Sequence, residues 1–279
     1  MEITALKPGC YGPLVQKVQY HLMGKVPLKP DGIFGPKTRD AIRHVTGTPG
    51  DVIDQEVLNA LNLEMTVFAW CLNLTGHFEN TMYSRCVGNF DGAGITAGII
   101  GFNLKSGTLQ RALNRFADSL RAAGAKVNWD WVTPLWPLTE VKPEDVRAWP
   151  RKQTPFDLET IGDALQRLAE LSEWRMVQEY EAYNYYYVPA VNTLKQLGIN
   201  NPTPLELANV FDCMVQTNQP RSIQRINSLR SILHSGATLH DAMNRVSMTN
   251  STEFGWAVSK RRAWFLSKDL SEKVIWGFA

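Results

Sequence analysis

Apolar side chains recur every three or four residues along most of this chain, the spacing of amphipathic helices. Val15, Val18, Gln19 and Leu22 form one such stripe, with a single amide inside it. Val67, Phe68, Trp70, Cys71 and Leu74 form a second, which predicts a helix ending near Glu79. In Thr108–Ala123 the stripe is Leu109, Leu113, Phe116 and Leu120, and Gly124 follows as a stop. Phe156–Tyr187 reads as one long helical stretch faced by Ile161, Leu165, Leu168, Leu171 and Trp174. Pro204–Thr217, Ser222–Leu233 and Ser251–Leu266 read as three more helices. Only Gly94–Phe102 alternates small and branched apolar residues, the mark of a short hairpin or tight strand. The expected fold class is therefore mainly α, with a small β element.

The helix breakers divide the pattern. Asp31-Gly32 marks a turn, because glycine accepts positive φ there. Gly35-Pro36 marks a helix start, because proline suits the first helical turn. A weaker copy of the same turn-then-helix pattern runs from Gly50, Val52, Ile53, Asp54 and Glu56 into Val57–Leu61. Residues 1–65 thus read as a three-helix unit, and a short polar joint, Asn62–Thr66, leads into a second domain at 66–279. Within that domain Val132–Phe156 holds Pro134, Pro137, Pro143, Pro150 and Pro155, which preclude a continuous helix. With Trp136 and Trp149 the segment reads either as a connecting loop or as the aromatic wall of a sugar cleft.

Composition narrows the function. The chain has 279 residues, 44% of them hydrophobic, and a net charge of +2. That balance argues against a dedicated nucleic-acid binder. No apolar run approaches a membrane span, and the first residues carry neither a basic nor an apolar export region. Cys10, Cys71, Cys86 and Cys213 lack metal or redox spacing and are expected as free thiols. The five histidines do not cluster, and no serine elbow or Cys-His peptidase signature occurs, so no metal and no cofactor is expected. A monomer is expected.

The candidate chemistry lies in Leu74–Asn103. Glu79 at a helix end, Asp91 in a glycine-rich turn and the Thr96 hydroxyl five residues later could face one another across a cleft. Glycosidic bond cleavage needs such a carboxyl pair, one as acid and one as base or nucleophile.

Two resemblances extend this. Glu79-Asn80 followed by GNFDGAGITAGIIGF resembles the catalytic segment of family 46 chitosanases. More loosely, Glu79, Asp91 and Thr96 resemble the Glu…Asp…Thr arrangement of phage-type lysozymes. The Glu79–Asp91 gap is shorter than in the chitosanases and slightly longer than in the phage enzymes. Trp174–Ala190, Phe211–Thr217 and Arg261-Arg262 with Trp264–Leu266 look like further chitosanase segments, with Thr217 where that family usually has histidine. The resemblance implies a lysozyme-like α+β fold, with Asp212 and Arg262 supporting the catalytic base through buried ion pairs. The N-terminal unit resembles three-helix peptidoglycan-binding domains through Leu6–Gly12, Val15–Leu22 and the DGxFGxxT motif, here Asp31, Gly32, Phe34, Gly35 and Thr38. That implies bacterial peptidoglycan as the partner.

The combined expectation is a phage-type endolysin of muramidase type, held in the host cytoplasm until its release to the wall at lysis. Glu79 protonates the glycosidic oxygen, Asp91 deprotonates a water, and Thr96 helps hold that water. Apolar neighbours such as Phe78 are expected to keep Glu79 protonated. The alternatives are a chitosanase acting on glucosamine polymers, a non-catalytic wall-binding or virion protein, and an effector delivered by a secretion machine.

Overall fold

The structure is a computed structural model that describes residues 5–64, 66–79, 81–124, 130–217 and 223–248. The chain divides into two compact units, Met1–Phe78 with Tyr183–Ala279, and Glu79–Ala182. Among the described residues the architecture is mainly helical with one small sheet.

The first unit opens with helices α1 (Pro13–Met23), α2 (Pro36–Thr46) and α3 (Gln55–Ala60), the three expected. Proline begins α1 and α2, while the Asp54 side chain caps α3 by accepting the Val57 N–H at 3.0 Å. Two isolated bridges, Leu6 with Ile53 and Tyr11 with Ile33, close the loops between them. Val15, Val18, Leu22, Phe34, Ile42 and Ile53 fill the core. The amide in the α1 stripe is not a flaw in that core. Gln19 is buried, accepts the Gly32 N–H at 2.6 Å, and donates to the Asp31 carboxylate at 2.8 Å, the Ile33 carbonyl at 3.0 Å and the Thr38 hydroxyl at 2.9 Å.

Helix α4 (Val67–Glu79) follows, and only its last residue belongs to the second unit. The first unit resumes with a π-helical turn, Tyr183–Tyr187, then α10 (Val188–Gln196), α11 (Pro204–Thr217), α12 (Ile223–His234) and α13 (Leu239–Met248). Phe68 on α4 meets Tyr183, Tyr187 and Phe211 edge-on, at centroid distances of 5.3, 5.3 and 6.2 Å.

The second unit holds the three-stranded antiparallel sheet of β1 (Cys86–Val87), β2 (Thr96–Ala97) and β3 (Phe102–Asn103), in that order. The β2–β3 hairpin falls in the segment where alternation predicts it, and β1 adds a strand that a two-residue span does not announce. Helix α5 (Thr108–Ala122) packs by Phe116 against Trp174, and Leu109, Leu113 and Leu120 are buried with it. The proline-rich segment becomes a 3-10 turn, Asp130–Leu135, and two short helices, α6 (Trp136–Thr139) and α7 (Pro143–Ala148).

The long helix expected over Phe156–Tyr187 is interrupted. Helix α8 (Leu158–Glu170) ends at Leu171, whose ψ of 129° is extended, and α9 (Ser172–Ala182) starts at the next residue. Ser172 favours a helix start over a helix interior. The apolar face continues across the break because Ile161, Leu165, Leu168 and Trp174 are all buried. The helix expected over Ser251–Leu266 lies outside the described residues.

Candidate active site

Glu79, Asp91 and Thr96 all belong to the second unit. Glu79 is the last residue of α4 and is half-buried. Two residues on, the Thr81 hydroxyl donates to the Ile99 carbonyl at 2.7 Å, and the Gly98 N–H donates to the Arg85 carbonyl at 2.9 Å. These bonds tie the chain leaving the Glu79 helix to the β2–β3 turn. Thr96 on β2 pairs with Val87 on one side and Asn103 on the other, and its side chain is half-buried.

Asp91 sits in a turn built by its own side chain, which accepts the Ala93 N–H at 3.0 Å. The turn is fastened from below by Asn89, only 2% exposed. Its side-chain oxygen accepts the Gly94 N–H at 2.8 Å, and its nitrogen donates to the carbonyls of Pro150 at 3.1 Å and Gln153 at 3.0 Å. The Lys152 N–H also donates to the Asn89 carbonyl, at 2.7 Å. The end of the proline-rich segment is therefore the anchor of the Asp91 turn. Prolines suit that task, because they pre-set φ and supply carbonyls without competing donors.

A second amide fixes the hairpin. Gln178 on α9 is fully buried, accepts the Ile99 N–H at 3.0 Å and donates to the Tyr83 carbonyl at 3.1 Å. Its oxygen would lie 2.3 Å from any Cβ at position 98, where φ is +80°, so both the approach and the backbone require Gly98. One helical turn further, Glu181 receives the guanidinium groups of Arg111 and Arg115 from α5. That bond raises the Arg115 pKa above its ordinary value, despite opposition from burial. Arg115 also lies over the Tyr180 ring, 4.3 Å from its centroid.

Asn89 and Gln178 fasten the segment that carries Asp91 and Thr96, and Glu181 ties α9 to α5, yet the sequence reading singles out none of them. Gln178 does fall inside the chitosanase-like stretch Trp174–Ala190. Phe90 is also new, a phenylalanine 57% exposed beside Asp91 and open for stacking on a sugar face. Of the tryptophans in the proline-rich segment, Trp149 packs on Phe156 at 6.0 Å, while Trp136 lines a cavity of about 440 Å³ with Asn114, Leu120 and Arg121. Glu79, Asp91 and Thr96 do not line that cavity.

Asp212 on α11 is fully buried and accepts the Thr75 hydroxyl at 3.1 Å, so it engages α4 four residues before Glu79. Arg262 lies outside the described residues. In the N-terminal unit Phe34 and Thr38 are buried, Gly32 has a φ of 74° in the turn, and Asp31 and Thr38 bond to Gln19. Gly35 caps the start of α2. The motif residues thus form the turn between α1 and α2.

Searches by sequence match no protein family and no curated protein. Similarity appears in three dimensions. A chitosanase in complex matches with a TM-score of 0.51 at 20% identity, over 71% of this chain and 86% of its own. The native chitosanase from Bacillus subtilis MY002 matches with a TM-score of 0.51 at 18% identity, over 71% and 83%. A GH46 chitosanase from Gynuella sunshinyii, in complex with chitotetraose, gives 0.51 at 16% identity, over 73% and 85%. At these identities the likeness shows the fold alone, a fold shared with those chitosanases.

Proposed function

We propose that this chain is a glycoside hydrolase that cleaves the β-1,4 glycosidic bonds of bacterial peptidoglycan, as a muramidase-type endolysin causes host cell lysis. What supports the hydrolase reading is one arrangement. A carboxyl at the end of α4 and a carboxyl in the turn before β2 belong to one compact unit, in which the Thr81–Ile99 bond ties the chain leaving α4 to the β2–β3 turn, on a chitosanase-like fold. Glu79 acts as the general acid and protonates the departing oxygen. Asp91 acts as the general base on a water, and Thr96, both donor and acceptor, orients it. The two carboxyl groups then stand about 6.5–9.5 Å apart in the working enzyme, and the anomer is inverted. Phe90 offers the sugar an apolar face beside Asp91.

The wall as substrate rests on the N-terminal unit, whose helices and DGxFGxxT turn resemble peptidoglycan-binding domains. In this reading residues 1–65 hold the wall and residues 66–279 cut it, with Asp212 and Arg262 supporting the catalytic base. The protein would work as a monomer, accumulating in the host cytoplasm before release. A chitosanase is the second reading, favoured by the similar structures, one of which is bound to chitotetraose. Digestion of purified sacculi and of chitosan in parallel separates the two. Identifying the new reducing-end sugar by mass spectrometry names the bond. Faster release of reducing ends from chitosan reverses the ranking.

A further inference from the structure

The N-terminal unit and the helix that ends in Glu79 are joined by contacts that a wall-binding module on a tether would not need. Helix α1 has Gly12 as its cap residue and no cap from a local side chain. Its first N–H groups need acceptors from elsewhere, since no helix can satisfy them internally. The Leu14 N–H finds one in the side chain of Asn73 on α4, at 3.1 Å and buried. The fit leaves no slack, because a Cβ on Gly12 would come within 2.5 Å of the Asn73 oxygen. Four residues further on, His77 packs against Tyr11, with ring centroids 4.1 Å apart.

Residues four apart share one face of a helix, so Asn73 and His77 present a single stripe of α4 to the N-terminal unit. Thr75, about 200° around the helix from Asn73, is held on the opposite side by Asp212. Glu79 follows Thr75 by four residues and His77 by two. The clamp thus grips α4 within about 9 Å of axial rise from its carboxyl-bearing end.

We propose that the N-terminal unit positions the catalytic helix, with Asn73 and Tyr11 as positioning residues that hold α4, and through it Glu79, in register. This rests on Glu79 being the general acid. The unit's contribution then extends to substrates too small to reach it, which a module serving only to bind the wall would not affect.

The test uses the full chain with soluble glycan fragments released from peptidoglycan, and with chitotetraose in parallel. Asn73→Ala and Tyr11→Ala are each expected to lower kcat roughly tenfold, since small misplacements of a reacting group cost up to about 10²-fold. KM should stay within about twofold for both, and for Asn73→Ala, outside the wall-binding unit, pelleting with intact sacculi should be unchanged. Tyr11→Phe keeps the ring and should restore the parent kcat. Thermal melts identify a variant that has lost its fold. If Asn73→Ala does so, Tyr11→Ala carries the test, as it removes only a half-buried ring. Parent-like kcat for folded Tyr11→Ala, or a loss confined to KM, overturns the positioning role while the hydrolase reading stands. A parent protein inert on every glycan, or a Glu79→Gln variant with parent-like turnover, overturns the hydrolase reading and the positioning role with it.

Discussion

Asn89 is the residue whose loss should expose how the Asp91 turn is held. Asn89→Ala removes three hydrogen bonds of 2.8–3.1 Å, made by a side chain that is 2% exposed. Each neutral bond contributes a net 0.5–1.5 kcal/mol or so, giving about 1.5–4.5 kcal/mol for the set. The three are not equal. Pro150 and Gln153 are exposed residues whose carbonyls can turn to water, whereas Gly94 is buried and its N–H has nowhere else to go. An unsatisfied buried donor costs about 1–3 kcal/mol. A loss of about 3 kcal/mol is therefore expected in urea unfolding, as a lower midpoint with an unchanged slope. Asn89→Asp refines the test. It keeps an acceptor for Gly94 but turns an oxygen toward two carbonyls, so it should be as damaging despite its shape. Because Asp91 is two residues away, kcat should also fall, by up to about 10²-fold. An Asn89→Ala variant within about 0.5 kcal/mol of the parent and with normal turnover would refute the anchoring argument.

Other outcomes follow from the same geometry. Glu79→Gln and Asp91→Asn should each cut turnover by about 10²–10⁴-fold while leaving the melting temperature and wall binding in place, with Thr96→Ala milder. NMR of the first product should show an inverted anomer, and a retained one would exclude the water mechanism. Burial holds the His77 pKa near 4, below its ordinary 6.5. The unfolded chain therefore takes up that proton first as the pH drops, and stability is lost through the window from about 6.5 to 4. His77→Phe should lose less stability than the parent between pH 7 and pH 5, and parallel curves would contradict this. Gln19→Leu removes four bonds that knit the α1–α2 turn and should cost about 3 kcal/mol, read by thermal unfolding. A neutral effect would show that Asp31, Gly32 and Thr38 hold the turn without it.

What the sequence disclosed and what it hid separate by range of interaction. The stripes Val15–Leu22 and Leu109–Leu120 are local and periodic, and they became α1 and α5. Gly35-Pro36 opens α2, and Pro204–Thr217 is α11. Asp91-Gly92 reads as a turn because an Asp side chain bonds its own backbone two residues on, and it does. The break at Leu171 was hidden because the apolar face runs through it, and periodicity reports faces rather than backbone continuity. The amides were hidden for a different reason. Asn89 reaches carbonyls more than sixty residues away, and Gln178 reaches a strand turn nearly eighty residues back. A glutamine or asparagine in such a place looks like any polar residue until its partners are known. Gln19 at least stood out, as the one polar residue within an apolar stripe.

The thiols turn the packing around α4 into something that can be timed. Cys10 in the N-terminal unit, Cys71 on α4 and Cys213 on α11 are outside any disulfide and buried, each at 1% exposure or less. Burial raises the Cys71 pKa, and half-buried Cys86 is pushed up to about 11. A thiol reacts as its thiolate, so an alkylating reagent meets Cys10, Cys71 and Cys213 only when the fold around each one opens. Their labelling rates, separated by peptide mass, are then three clocks in one molecule. Equal rates at Cys10 and Cys71 would mean that α4 is exposed in the same event that opens the N-terminal unit. A faster clock at Cys10 would mean that the unit breathes while the helix beneath it stays shut.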